Sequence, residues 1–146
     1  MSVWLKYLAI AVLVGNGLTA LWNLIGLGRM VLGGPFEGGI GRPALNLALS
    51  FTAIALAAMI AAPTQRRVSL GTKIIAVPSV LGGVFGLLSS AMWLYYTRTA
   101  QPQTGLSTDK LVVELFLAER AVQNAFFAAC TLALGIWVLA SRRISA

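Results

Sequence analysis

Histidine is absent from this chain, and cysteine occurs once, at Cys130. The first absence removes the usual axial haem ligand and the commonest zinc ligand. The second rules out an intrachain disulfide, so thiol usage says nothing about the redox compartment. Acids are almost as scarce: four Asp and Glu are scattered along the sequence, too thinly for a carboxylate cage around a divalent cation. No metal and no cofactor is expected. Without histidine, and with the serines mainly at helix-packing spacings, no nucleophile, base and orienting acid can be assembled, which argues against a hydrolase. Charged residues of either sign make up 10% of the chain, against about 25% in soluble domains. That is too little polar surface to cover a water-soluble globule.

What is present is apolar. Hydrophobic residues are 58% of the chain and the mean hydropathy is +0.85. Uncharged runs extend over 7–28, 43–65, 74–97 and 121–141, each close to the roughly 20 residues an α-helix needs to cross the hydrocarbon core. Small and apolar residues occupy both faces throughout, so the alternation of a transmembrane β-barrel is missing. The expected fold is an all-α integral membrane protein, a single four-helix bundle over 1–146 with spans at about 7–28, 43–63, 74–97 and 112–141. Punctuation agrees: Gly and Pro crowd 33–43, Pro63 closes the second helix, and "TAQPQTGLST" separates the third from the fourth. Ser107, Thr108 or Asp109 is a candidate cap for the last helix, which then starts well before its apolar part. The first apolar stretch is longer than a signal-peptide core and is interrupted by Asn16, so it is expected to remain as a span.

With four spans, Lys6, Arg66, Arg67, Lys73, Arg142 and Arg143 flank one side of the membrane, and Arg29, Arg42, Arg98, Lys110 and Arg120 the other. The short middle loop "TQRRVSLGTK" carries three positive charges and no acid, which places it, and with it both termini, in the cytoplasm. All four acids then lie on the outer side. The net charge of +7 sits at span ends, where it meets anionic headgroups, so nucleic acid is not an expected partner. The implied location is the cell membrane, multi-pass, and the cytoplasmic membrane in a bacterium.

Several polar and small residues look inward. Asn16, Thr19 and Asn23 share one face of the first helix, and Asn46 and Ser50 stand four apart on the second. Interhelical hydrogen bonding is the simplest use for them. Gly82-x-x-x-Gly86 in the third helix offers a groove for a neighbouring backbone, for which Ala53, Ala57 and Ala61 have matching spacing. The same groove leaves a homo-oligomer or a larger membrane complex open. Trp4, Trp22, Trp93, Tyr95, Tyr96 and Trp137 lie mostly near span ends, as an aromatic belt would. "GGPFEGGIG" lacks the Gly-Lys-Ser/Thr ending of a phosphate loop and is read as a turn.

One polar cluster is a candidate binding site. Glu119, Arg120, Gln123 and Asn124 share a broad face at the start of the last apolar segment, and Arg29 and Arg98 fall on the same side of the membrane. Together they could hold an anionic headgroup or carboxylate against a cationic wall. The competing reading is a solvated helix end, with Arg120 snorkelling to the headgroups.

Glu119-Arg120-x-x-x-Asn124 resembles the E-R-x-x-x-N stretch of the MAPEG family, small four-helix membrane proteins, typically trimers, that include glutathione-dependent enzymes acting on lipophilic substrates. The resemblance covers six residues. In that family the stretch belongs to the second helix and is commonly followed by an acid three residues after the Asn, whereas here it opens the fourth and Phe127 takes that place.

The leading functional expectation is a non-catalytic accessory subunit, or a bundle that binds membrane lipids or a protein partner. An enzyme on a lipophilic substrate is the alternative, carried by the polar cluster and the MAPEG-like stretch, so catalysis stays open. A small-solute transporter, suggested by Asn16, Thr19 and Asn23, lacks an inverted repeat or a broken helix pair. No carboxylate lies deep in a span, as a proton pump would need.

Overall fold

The structure is a computed structural model that describes the backbone of residues 3–32, 40–62, 68–99 and 108–141, and the side chains of 3–32, 40–62, 68–96 and 118–141. Four helices run in order: α1 (Val3–Val31), α2 (Gly41–Ala61), α3 (Leu70–Thr99) and α4 (Thr108–Ala140). All four are long and apolar enough to cross a membrane. The shortest, α2, has 21 residues, about 32 Å at 1.5 Å per residue, which matches a hydrocarbon core of about 30 Å.

Local chemistry sets several of the ends. Pro43 sits in the first turn of α2, where its missing N–H has no intrahelical acceptor to lose. Ala62, just before Pro63, turns extended at φ −61° and ψ 128° while its N–H still reaches the Ala58 carbonyl at 3.0 Å. Steric pressure from a following proline drives a residue out of the helical region in this way. Ser69 caps α3, its Oγ accepting from the Thr72 N–H at 3.2 Å and sharing a 2.9 Å bond with the Thr72 hydroxyl. Lys73 Nζ donates to the Leu139 carbonyl in the last turn of α4 at 3.3 Å, tying the ends of two helices together. Helix α4 starts at Thr108, within the stretch named as its candidate cap; Ser107 lies outside the described residues.

Neighbours in sequence are neighbours in space. α1 packs on α2, α2 on α3, α3 on α4, and α4 closes the ring against α1; among the described residues, α2 and α4 are the one diagonal pair that touches. Glycines bring α3 and α4 closest. A Cβ at Gly83 would lie 2.8 Å from the Leu132 backbone N and 3.0 Å from the Ala128 carbonyl, and one at Gly86 would lie 2.8 Å from Ala128 Cβ. Gly135 returns the contact from α4, beneath Val80 and the Ala76 carbonyl. The glycine groove therefore faces mainly α4 rather than the alanines of α2. Of these glycines Gly82 turns to α2, where a Cβ would lie 3.4 Å from Leu49 Cβ. Ala53 and Ala57 are instead part of the bundle core.

That core is one-sided along the bundle axis. Leu5, Ala9 and Val12 of α1, Ala53, Leu56 and Ile60 of α2, Ala76 of α3, and Leu134 and Val138 of α4 form one buried cluster. All lie in the half that holds the start of α1. Outward, Ile10, Leu18 and Leu21, or Val77, Leu81 and Leu88, are exposed. An apolar exterior on helices of this length is what lipid rather than water tolerates.

Candidate functional site

In the other half of the bundle, toward the α1–α2 and α3–α4 connections, the apolar filling stops. The reason is side-chain volume. On α2, Arg42, Asn46 and Ser50 recur every fourth residue on the inner face; on α3 the matching positions are Gly82, Gly86, Ser89 and Ser90; α4 contributes Asn124, Phe127, Ala128 and Thr131, and α1 gives Gly15, Asn16 and Thr19. Small residues on α3, and hydroxyls and amides on the other three helices, leave a cleft of about 350 Å³ walled by all four. From Arg42 to Ser50 it descends eight residues of α2, about 12 Å. It thus begins at the helix end and reaches toward the middle of the span.

The floor is tied by hydrogen bonds. Asn16 Nδ2 donates to Thr131 Oγ1 at 2.9 Å and to the Val12 carbonyl at 3.0 Å, and Thr131 Oγ1 donates to the Phe127 carbonyl at 2.9 Å. Asn16 therefore joins α1 to α4, as an inward-facing amide should in lipid. Thr19 and Asn23 bond back to their own helix, to the carbonyls of Gly15 at 3.0 Å and Thr19 at 2.8 Å. The Phe127 ring lies directly on Gly15, where any Cβ would overlap it. Nearer the mouth, Arg42, Asn46 and Asn124 are exposed and make no side-chain hydrogen bond or ion pair among the described residues.

The cluster singled out at the start of α4 divides. Asn124 lines the cleft. Gln123 Nε2 donates to Glu119 Oε1 at 3.3 Å, and both residues are exposed, outside the lining. The Arg120 guanidinium lies over the Trp22 ring, 4.3 Å from its centroid, stapling α4 to α1. Arg29 is exposed in the last turn of α1, where a cation complements the helix dipole. The side chain of Arg98 lies outside the described residues. The helix-packing set fares differently: Asn16, Asn46, Ser50, Gly82 and Gly86 all border the cleft, and Asn23 does not.

Arg42 is the charged cleft residue that the sequence pattern does not assign to the site; Ser89, Ser90 and Thr131 are uncharged ones it also misses. The signal for Arg42 was present, because Arg42, Asn46 and Ser50 stand at i, i+4 and i+8. The glycine-rich run before it reads as a loop, which hid that Arg42 belongs to the first turn of α2. Chemically, the described lining combines one guanidinium with amides and hydroxyls and contains no carboxylate. Such a surface donates hydrogen bonds and attracts negative charge. No family model, curated protein or solved structure matches the chain, and the MAPEG-like likeness rests on its six positions alone.

Proposed function

We propose that this protein is a non-catalytic, multi-pass membrane protein that binds a small polar or amphiphilic molecule in the cleft between its four helices. The observation that carries the reading is the contrast between the two halves of one bundle. One half is filled with Leu, Val, Ile and Ala, its buried hydroxyls Thr72 and Ser79 bonded within α3 and its cap; the other holds a polar cleft with Arg42 at its mouth. Hydrophilic lining at membrane depth is costly unless it faces water or a ligand, and so marks function rather than stability. The charge of the middle loop orients both termini to the cytoplasm and the cleft to the outer face of the cell membrane. In this reading Arg120, Glu119 and Gln123 form the solvated rim of α4, and the binding charge is Arg42.

The test is native mass spectrometry of protein extracted in its own lipid. Ser89→Trp, which fills the cleft, is expected to strip a small molecule that the wild type retains. Val84→Trp, on the exposed face of the same helix, is expected to keep it. The same set of bound molecules on all three proteins would overturn the reading.

A further inference from the structure

We propose that the cleft takes the anionic headgroup of an amphiphile, whose alkyl chain leaves sideways between α2 and α3. This rests on the reading of the cleft as a binding site and adds both the sign of the ligand and its direction of entry.

The sign follows from the lining. Among the described residues Arg42 is its one ionic group, and the exposed amides of Asn46 and Asn124 line the same cleft. A guanidinium and amide donors in one cleft suit a phosphate or carboxylate, and the fixed positive charge disfavours a cationic head.

The direction follows from where the apolar lining of the cleft reaches the surface, with the α1–α4 and α3–α4 seams bridged by direct contacts. Between α1 and α4, the Asn16 to Thr131 bond at 2.9 Å and the stack of Arg120 on Trp22 at 4.3 Å close the wall. Between α3 and α4, Gly86 and Ala128 leave no room even for a methyl group. The large apolar side chains that line the cleft and are also exposed are Leu45 of α2, 57% exposed, and Phe85 of α3, 60% exposed. They edge a lateral opening with an apolar lip, and one turn deeper Leu49 faces Gly82, where an added Cβ would only just touch it. A volume of about 350 Å³ is at the small end of ligand pockets, room for a headgroup without its chain. The chain must therefore lie outside the cleft, and the lip between Leu45 and Phe85 gives it an apolar path into lipid.

The experiment uses the full chain in phosphatidylcholine nanodiscs, with empty nanodiscs as background. Radiolabelled dodecyl phosphate, dodecyltrimethylammonium and inorganic phosphate are the probes. Dodecyl phosphate is expected to bind at least tenfold more tightly than either of the others. Arg42→Gln is expected to weaken it at least tenfold, while Lys6→Gln, exposed at the opposite end of the bundle, leaves it unchanged. A mid-chain diazirine on dodecyl phosphate should label peptides containing Leu45 and Phe85. If inorganic phosphate binds as tightly, or the diazirine labels α1 or α4 instead, the sideways chain is wrong and the binding cleft stands. If the cationic amphiphile binds equally well, or Arg42→Gln has no effect, the anionic head is wrong. If no probe exceeds the empty nanodisc while native protein still carries a cleft-dependent molecule by mass spectrometry, the proposal fails and the broader reading survives.

Discussion

Gly83 and Gly17 show how differently one residue type can be used in the same bundle. A Cβ on Gly83 meets backbone atoms of α4 at 2.8 and 3.0 Å, and backbone cannot swing aside as a side chain can. A Cβ on Gly17 meets nothing within 4 Å. Gly83→Ala is therefore expected to cost about 1–3 kcal/mol, the usual range for overpacking. Gly17→Ala should be neutral or slightly stabilising, because a helical glycine gives up roughly 0.5–1 kcal/mol relative to alanine. Thermal unfolding in detergent, followed by intrinsic fluorescence, compares the two; equal shifts would mean that α3 and α4 do not approach as closely as described. The sequence announced such a groove through Gly82 and Gly86, yet it could not say which of two faces the glycines serve. Gly82 and Gly83 are adjacent and point to different helices, α2 and α4, and spacing along one helix carries no information about the register of its neighbours.

The elements themselves were the most legible part. Apolar runs of the right length, proline and glycine at the breaks and a polar segment before α4 follow from what lipid demands of a backbone. All four helices start earlier than expected, α1 and α3 also run past their expected ends, and α2 and α4 stop short at Ala61 and Ala140. The extended ends sit in the polar interface, where charge is no obstacle to a helix. The start of α3 illustrates this: Ser69, in the basic middle loop, caps a helix that continues into the apolar run at Ile74. Ser69→Ala removes the acceptor for the Thr72 N–H and is expected to cost about 1 kcal/mol, within the 0.5–2 kcal/mol typical of such caps. A drop in unfolding temperature restored by Ser69→Asp, which also caps, would separate capping from a general effect of loop substitution. No drop in Ser69→Ala would show that the loop holds α3 without the cap.

At the scale of the molecule, the bundle is built as two unlike halves. Sequence spacing shows polar residues facing inward but spreads them among packing and binding roles, because clustered charge is the stronger local signal. Glu119, Arg120 and Gln123 cluster in sequence and then satisfy one another or Trp22 at the rim. The cleft is made by residues that look unremarkable singly, one or two per helical turn on four separate helices. Their convergence depends on how the helices are rotated about their axes, which no local pattern reports.

The central claim is that water and polar ligands reach into one half of this bundle and not the other. Thiol labelling in sealed vesicles of known sidedness tests it most directly, with a small, impermeant, charged methanethiosulfonate reagent. The Ser89→Cys variant in a Cys130→Ala background carries its thiol in the cleft wall, whereas native Cys130 packs against the apolar core. The account predicts that the Ser89→Cys variant reacts with reagent applied to the outer face, that dodecyl phosphate slows the reaction, and that the wild-type thiol stays unmodified. Reaction of the variant only from the cytoplasmic face would invert the orientation. Failure to react from either face, or equal reaction of wild-type Cys130, would contradict the open cleft above a sealed core.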